Sequence, residues 1–370
     1  MKIHYNNVKN NVLDVKFNKQ NDVFNYGLDN SQPSLIEILI NMSVTSKACI
    51  SKVSKSIYGK SFGTIGKTIV NVDAQTLNEV LRIASREYAK HNNVFIHVGY
   101  NGLLQVNSIK VLPNTDVRIG KSDDNGYSGK FIIYDNWNKS KGKFNKEDFK
   151  LIDKYNPLKN VIESQIENAG SISKYKGQIL HIQEDTNSIY SLSDLTPVLS
   201  SALLEHNSSE FALNGSLNGF LSSKALTVQS FSDDEERQMF YRSLDKLKGS
   251  SNTGEVLIIE TNSIDSDVNN SMKIEDLTSQ FNDKLFEYSD LQSKKKIALA
   301  FNVPLGLITN DDSSLFGNSG QLLKEMKLQL WESREEQRDM LEEAFNKLMY
   351  NFKEPITEDL TIINPFKTEI

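Results

Sequence analysis

The chain has 370 residues, 38% of them hydrophobic and 24% charged, with a formal net charge of −6. That length can bury a sizeable core and suggests two or three domains, while the negative balance argues against a protein that grips nucleic acid across a broad basic face. The single Cys49 excludes an intrachain disulfide framework and a zinc site built from several thiolates, and its apolar surroundings make it a small core residue.

The opening MKIHYNNVKN runs into polar sequence rather than an apolar signal core. The best membrane candidate, Ser34 to Ile50, is interrupted by Glu37, Asn41 and Lys47 and falls short of the ~20 apolar residues a span needs. No membrane segment is expected, and cytoplasmic synthesis follows. Residues 1–30 are asparagine-rich and weakly patterned. Pro33 suits a first helical turn with Ser31 or Asn30 as cap, and Leu35, Ile38, Leu39, Met42, Ile50 and Val53 predict one helix to about Ile57. A glycine-bearing loop, Gly59 to Thr68, leads to a strand over Thr68–Val72. A second helix is predicted from Asp73, its cap, to His91.

The period then changes to two. Val94, Ile96 and Val98 alternate, Asn101-Gly102 signals a hairpin, and strands are expected over Gln105–Leu112, Val117–Ile119 and Lys130–Tyr134. Residues 136–150 read as charged loop. Gln178–Gln183 predicts a strand, and a helix is expected from about Ser193 through Leu213. FSDDEERQMFYRSLDKLKG predicts a short helix capped by Ser232, followed by a strand over Glu255–Glu260. Ile274, Leu277, Phe281, Leu285, Tyr288 and Leu291 recur at helical spacing, which predicts a long helix ending near Val303 because Pro304 stops it. Thr309–Gly320 is polar, small and loop-like. Helical periodicity resumes through Leu323, Met326, Leu330, Leu341, Phe345 and Leu348, interrupted by WESREEQRDM, which reads as a solvated face or a charged seam between subunits.

Catalytic signals are absent. GKSFGTIGKT resembles a phosphate loop, but Ser61 stands where the first glycine should be, and the loop follows a helix rather than a strand. Nucleotide hydrolysis through Gly63–Thr68 is therefore the weaker alternative. His4, His91, His97, His181 and His206 have no metal-ligand spacing, and structural or surface roles are expected for them. No cofactor is implied. Lys294, Lys295 and Lys296 form the tightest positive cluster, read either as a solvated helical face or as a contact for a polyanion or a neighbouring subunit's acids.

Four passages stand in order along the chain. Ile179–Leu204 carries Tyr190 and Ser193 of a Tyr-Gly-x-Ser motif, with Ser191 at the glycine. Phe211–Ser223 carries Asn214, Gly215 and Gly219. Lys246–Glu260 carries Gly249, Asn252 and Gly254 of a Gly-x-x-Asn-x-Gly turn. Lys294–Ile308 carries Ile297, Ala298, Phe301, Val303 and Pro304 of Ile-Ala-x-x-Phe-Gly-Val-Pro, with Asn302 at the glycine. Together these four passages resemble the portal proteins of long-tailed bacteriophages, and upstream the Asp73–Val98 helix and strand, Asn101–Leu103 and Val111–Val117 resemble that family's wing segment more loosely.

The resemblance implies an α+β, portal-like fold: an α/β wing, two long stem helices flanking a small α/β clip, and a helical C-terminal wing or crown part. Its expected bounds are wing 1–188, first stem helix 189–216, clip 217–271, second stem helix 272–303, tunnel loop 304–320, and C-terminal part 321–370. It implies a non-enzymatic virion protein at one capsid vertex, a dodecameric ring that conducts double-stranded DNA in packaging and ejection. The expected partners are the terminase large subunit, a head–tail adaptor and a major capsid or scaffold protein. Asn310, Asp311, Asp312, Ser313, Ser314, Leu315, Phe316, Gly317, Asn318 and Ser319 would be the DNA-facing loop. Gly249, Asn252 and Gly254 would make the clip turn, Pro304 would stop the stem helix, and Lys294–Lys296 would face the channel or a neighbouring subunit. Another phage head–tail component is the alternative within the same class.

Overall fold

A computed structural model describes residues 15–121 except 28, 129–137, 146–217 except 186, 224–229, 233–247, 256–261, 272–276, 283–309, and 319–366 except 355 and 357. The chain divides into two compact units. The first comprises residues 1–202 and 295–370, and the second residues 203–294.

The first unit opens with a short antiparallel pair, β1 (Phe17–Asn18) and β2 (Val23–Phe24). The single predicted helix over 33–57 is two: α1 (Gln32–Met42) and α2 (Val44–Tyr58). Ser43 between them leaves helical geometry, and its side chain accepts a hydrogen bond from the Ser46 amide, capping α2. A serine offering its oxygen to a nearby amide competes with the helical ladder, so a break is the local preference. Cys49 is fully buried on α2.

α3 (Leu77–His91) begins three residues later than expected. Its cap is Thr76, which forms a reciprocal capping box with Glu79; Asp73 instead pairs with Lys110 at 2.8 Å. Such a box satisfies two orphan amides at once and is worth ~1 kcal/mol. The segment from Thr68 to Val72 is not a strand but a tight connection with one bridge, Ile69 to Thr76.

A six-stranded sheet follows, in the order β4-β3-β8-β7-β6-β5. Its members are β3 (Asn93–Tyr100), β4 (Val106–Leu112), β5 (Val117–Ile119), β6 (Lys130–Ile133), β7 (Lys150–Lys154) and β8 (Gln178–Gln183). Only β7 and β8 are parallel, and the connection that parallel strands require is supplied by α4 (Lys159–Ala169). Residues 136–150 are thus not simply loop: Trp137 and Phe149 are buried, and β7 starts at Lys150. The hairpin between β3 and β4 turns over Asn101–Gln105, with Leu104 at φ 59°, rather than through a two-residue Asn-Gly turn. Phe95, Phe131, Ile152, Ile179, Tyr26 and Tyr190 fill one core, while Ile132, adjacent to Phe131, joins Val23, Trp137 and Phe149 in another. Residues alternating along a strand serve opposite faces, which is why β6 carries both.

The C-terminal helices close this unit. α8 (Ser319–Glu332) and α9 (Glu335–Tyr350) replace the single predicted helix. Beyond α9, the Val106 amide donates to Asn351 O at 2.8 Å and the Lys353 amide donates to Val106 O at 2.9 Å, a bridge that pairs the outer edge of β4 at its first residue.

In the second unit, β9 (Lys224–Gln229) is flanked by β10 (Val256–Thr261), parallel to it, and β11 (Met272–Asp276), antiparallel. α6 (Asp234–Leu247) is the crossover between the parallel strands. The expected second stem helix over 272–303 is corrected accordingly: its first residues are β11, and the helix, α7, runs Asp283–Ala300. α5 (Leu199–Leu217) is the other long helix. The division between the units falls within α5 and within α7.

Candidate functional site

The first and fourth family-like passages converge within the first unit. Tyr190 stacks on Tyr26 with centroids 4.0 Å apart. Its hydroxyl donates to the Phe24 carbonyl at 3.0 Å and accepts from the Ile119 amide at 2.7 Å. Ser191 does not need to be glycine. Its φ is not positive, and its hydroxyl accepts from the Asp185 amide at 2.8 Å while its own amide donates to Asn93 Oδ1 at 3.1 Å. Ser193 Oγ donates to the Lys90 carbonyl, and Asn92 Nδ2 reaches Leu192 O and Asp194 Oδ1 at 2.9 and 2.8 Å. The motif therefore stitches the start of the α5 segment to the C-terminus of α3, where Asn92 holds the left-handed cap at φ 53°.

The end of α7 is made by the other motif. The Val303 amide donates to Ala298 O at 2.9 Å and the Asn302 amide to Leu299 O at 3.0 Å. Asn302 itself lies at φ 46°. This pairing is the Schellman arrangement, whose left-handed residue is usually glycine and sometimes asparagine. The helix is thus ended by Asn302, and Pro304 follows as the first residue that cannot continue it, capping a short 3₁₀ turn over Leu305–Leu307.

Arg334 ties the two motifs together. Its Nη2 donates to the Phe301 carbonyl, and its Nη1 lies 3.9 Å from Asp194 Oδ2. Three residues on, Gln337 donates to Glu184 Oε1 at 3.3 Å. Arg338 covers the Trp331 ring at 3.6 Å and donates to its carbonyl. Arg334, Gln337 and Arg338 are all buried. The WESREEQRDM interruption is therefore neither a solvated face nor a seam between subunits at these positions; it is an internal clamp. Burial raises the carboxyls of Glu184 and Asp194, against the pull of Arg334. Sequence reading missed Asn92, Asn93 and Arg334 because polar residues in a polar run carry no periodic signal.

A second polar cluster links α1, α3 and the sheet. Lys90 Nζ lies 2.7 Å from Glu37 and 3.1 Å from Glu87, and His91 Nε2 lies 3.4 Å from Glu37. Glu87 also accepts from the Asn114 amide and side chain. Burial works against ionisation of Glu37, but hydrogen bonds from His91 and Lys90 prevail and hold its carboxyl at about 2. Glu37, Glu87 and His91 are close enough to share a cation, yet Lys90 already supplies that charge between the carboxylates. His181 is stacked on Phe95, and burial pushes it down to about 3, so it is a neutral packing residue.

The phosphate-loop reading of Gly63–Thr68 fails on geometry. Asn78 fills the loop: its Oδ1 accepts from the Phe62 amide at 3.1 Å and its Nδ2 donates to Gly63 O at 2.9 Å. A Cβ on Gly66 would lie 1.8 Å from Asn78 Oδ1. This glycine admits a side chain of the protein itself rather than a phosphate.

Of the residues expected to form a site, Lys294 is ion-paired with Asp290 one turn earlier, while Lys295 and Lys296 are exposed and make no ion pair among the described residues. Ser319 is the first residue of α8. Asn310 to Asn318, and Gly249, Asn252 and Gly254, lie outside the described residues. Among the described residues no helix is long and apolar enough to cross a membrane.

No protein-family model matches the sequence, and no curated protein matches it. Solved structures do match. A chain in the neck of the native gene transfer agent particle, computed with C12 symmetry, is 12% identical, with 86% of this chain and 81% of that one covered at a TM-score of 0.52. A chain in the virion of the native gene transfer agent particle is 12% identical, with 87% and 81% covered at 0.54. An HK97-family phage portal protein from Corynebacterium diphtheriae is 10% identical over 77% and 81%, at 0.41, which by itself decides nothing about fold. The chain has the fold of a chain found in the neck of gene transfer agent particles.

Proposed function

We propose that the chain is the subunit of a portal-type ring at one vertex of a phage-like capsid, a conduit for double-stranded DNA without catalysis of its own. The observation that carries this reading is the fold likeness over 86–87% of the chain to chains of gene transfer agent particles. Such a likeness at low identity speaks to fold, and the function follows from joining it to the ordered sequence motifs. Symmetry in those particles, C12 and C6, supports a closed ring of copies in place of a filament.

In this reading the first unit contains the wing, α5 and α7 are the stem, and β9–β11 with α6 are the clip. The tunnel loop expected over 304–320 is narrowed to the stretch between the 3₁₀ turn of Leu305–Leu307 and α8. Asp311 and Asp312 repel phosphate and keep DNA from sticking, and Lys294–Lys296 supply limited attraction or a contact to a neighbour. Terminase, a head–tail adaptor and capsid or scaffold protein are the proposed partners. The clamp of Asp194, Arg334 and Phe301 suits a transmitter of force, because Arg334 joins the segment that leads into α5 to the end of α7.

Light scattering and electron microscopy of the purified chain test the reading. The expected result is a ring many times the 41.9 kDa of one subunit, with a central hole. A chain that stays monomeric across concentration and salt overturns it.

A further inference from the structure

A cavity of about 240 Å³ opens in the first unit between α2, α8 and the C-terminal segment. Its walls are apolar, chiefly Leu330, Trp331 and Phe366, and its lining includes Lys52, Lys55 and Lys327 but no acidic residue. None of these lysines makes an ion pair among the described residues, and Lys55 and Lys327 are exposed. In a chain of net charge −6, three cations around one apolar recess are a local inversion of sign. An anion at the recess meets three lysines and no carboxylate in its lining.

The recess is held in shape. Arg338 lies over the Trp331 ring at 3.6 Å, and Phe366 meets it edge-on at 6.3 Å. Gly59, at φ 54°, brings backbone so close that a Cβ would lie 2.9 Å from the indole. The volume is below the ~300–1,000 Å³ of sites that enclose a whole small-molecule ligand. It suits one side chain with a charged neighbour.

We propose that this cavity docks an acidic peptide segment of a partner protein, with carboxylates against Lys52, Lys55 and Lys327 and an aliphatic or aromatic side chain beside Trp331 and Phe366. Charge complementarity selects the acid, and the apolar wall selects a peptide over a nucleic acid. A DNA duplex meets protein through hydrated phosphates on a convex surface. It has no apolar group to lower into the recess, so Leu330 and Phe366 would gain nothing from it. The proposal stands apart from the portal reading, because it needs neither a ring nor DNA.

Calorimetric titration of the full-length protein tests it, using the capped tetrapeptide Asp-Asp-Leu-Phe as probe. Asn-Asn-Leu-Phe, Asp-Asp-Ala-Ala and a short DNA duplex are the comparisons. Saturable binding of the first peptide is expected, with at least a tenfold loss for each altered peptide. A further tenfold loss is expected in Lys52→Glu/Lys327→Glu, with circular dichroism and thermal unfolding checking that the fold is intact. Raising salt from 0.05 to 0.5 M should weaken binding several-fold. Absence of peptide binding overturns the proposal. So does equal binding by Asp-Asp-Ala-Ala, indifference to the charge reversal, or duplex DNA binding that Lys52→Glu/Lys327→Glu abolishes while the peptide fails.

Discussion

Glu37, Glu87, Lys90 and His91 form a partly buried polar cluster in which the ionisation of Glu37 and Glu87 sets part of the molecule's stability. Glu37 is held at about 2, below its ordinary 4.5, and Glu87 is also lowered. A carboxyl depressed by folding contributes stability above its unfolded pKa, and loses it as pH falls through the folded value. Glu37→Gln should therefore destabilise the protein by ~2 kcal/mol at pH 7, because it leaves Lys90 with one carboxylate fewer. The difference from the parent should shrink steadily between about pH 4.5 and pH 2. Urea unfolding of both proteins at pH 7 and pH 3 checks this, and a pH-independent difference would refute the assignment. Glu184 and Asp194 have the opposite sign. Burial raises them, so their ionisation opposes folding, and mild acid favours the folded state at that clamp.

At the scale of elements, the end of α7 depends on one residue in left-handed geometry. Asn302→Gly should be neutral within ~0.5 kcal/mol, since glycine adopts positive φ without steric cost, whereas Asn302→Val should cost ~1–2 kcal/mol and shift the helix end. Thermal unfolding of the two variants measures the contrast, and equal stability would show that the cap does not hold the helix end.

The same comparison explains what the sequence made readable. β4, β5 and β8 were legible because short β-branched runs lay between turn residues. Asn302 was legible as a departure from a motif, and its backbone geometry was not. The helix predicted from Ile274 failed because Ile274 and Leu277 fit a period of three, while the pairing of Met272–Asp276 with β9 is long-range and leaves no local mark. β7 and α4 were hidden in charged sequence, with Ile152 and Ile162 as almost their only buried apolar anchors. The break at Ser43 was hidden by an apolar stripe that continues through both α1 and α2. Arg334 was unreadable for a similar reason: a buried arginine paired to a carbonyl and a distant aspartate looks, in sequence, like one more surface charge.

The whole molecule carries −6, so identical copies brought together in the proposed ring would repel one another. At ~0.01 M salt the Debye length is ~30 Å and the repulsion spans neighbouring subunits, while at ~0.15 M it falls to ~8 Å. Assembly should therefore strengthen over that range. Lys295 and Lys296 allow a sharper test, because they are exposed and unpaired among the described residues, whereas Lys294 is already neutralised by Asp290. Replacing both by Ala takes each subunit from −6 to −8. If they only moderate the ring's charge, assembly falls at low salt and returns at ~0.15 M, with DNA packaging following it. If they touch DNA, the ring forms as before at ~0.15 M and the amount of packaged DNA still drops several-fold. The second outcome is the one the proposed DNA conduit predicts, since two exposed cations on a chain of net charge −6 are where a passing polyanion would be held. Sedimentation of the purified variant and protection of packaged DNA from nuclease separate the two, and full packaging with intact rings would remove these lysines from the channel.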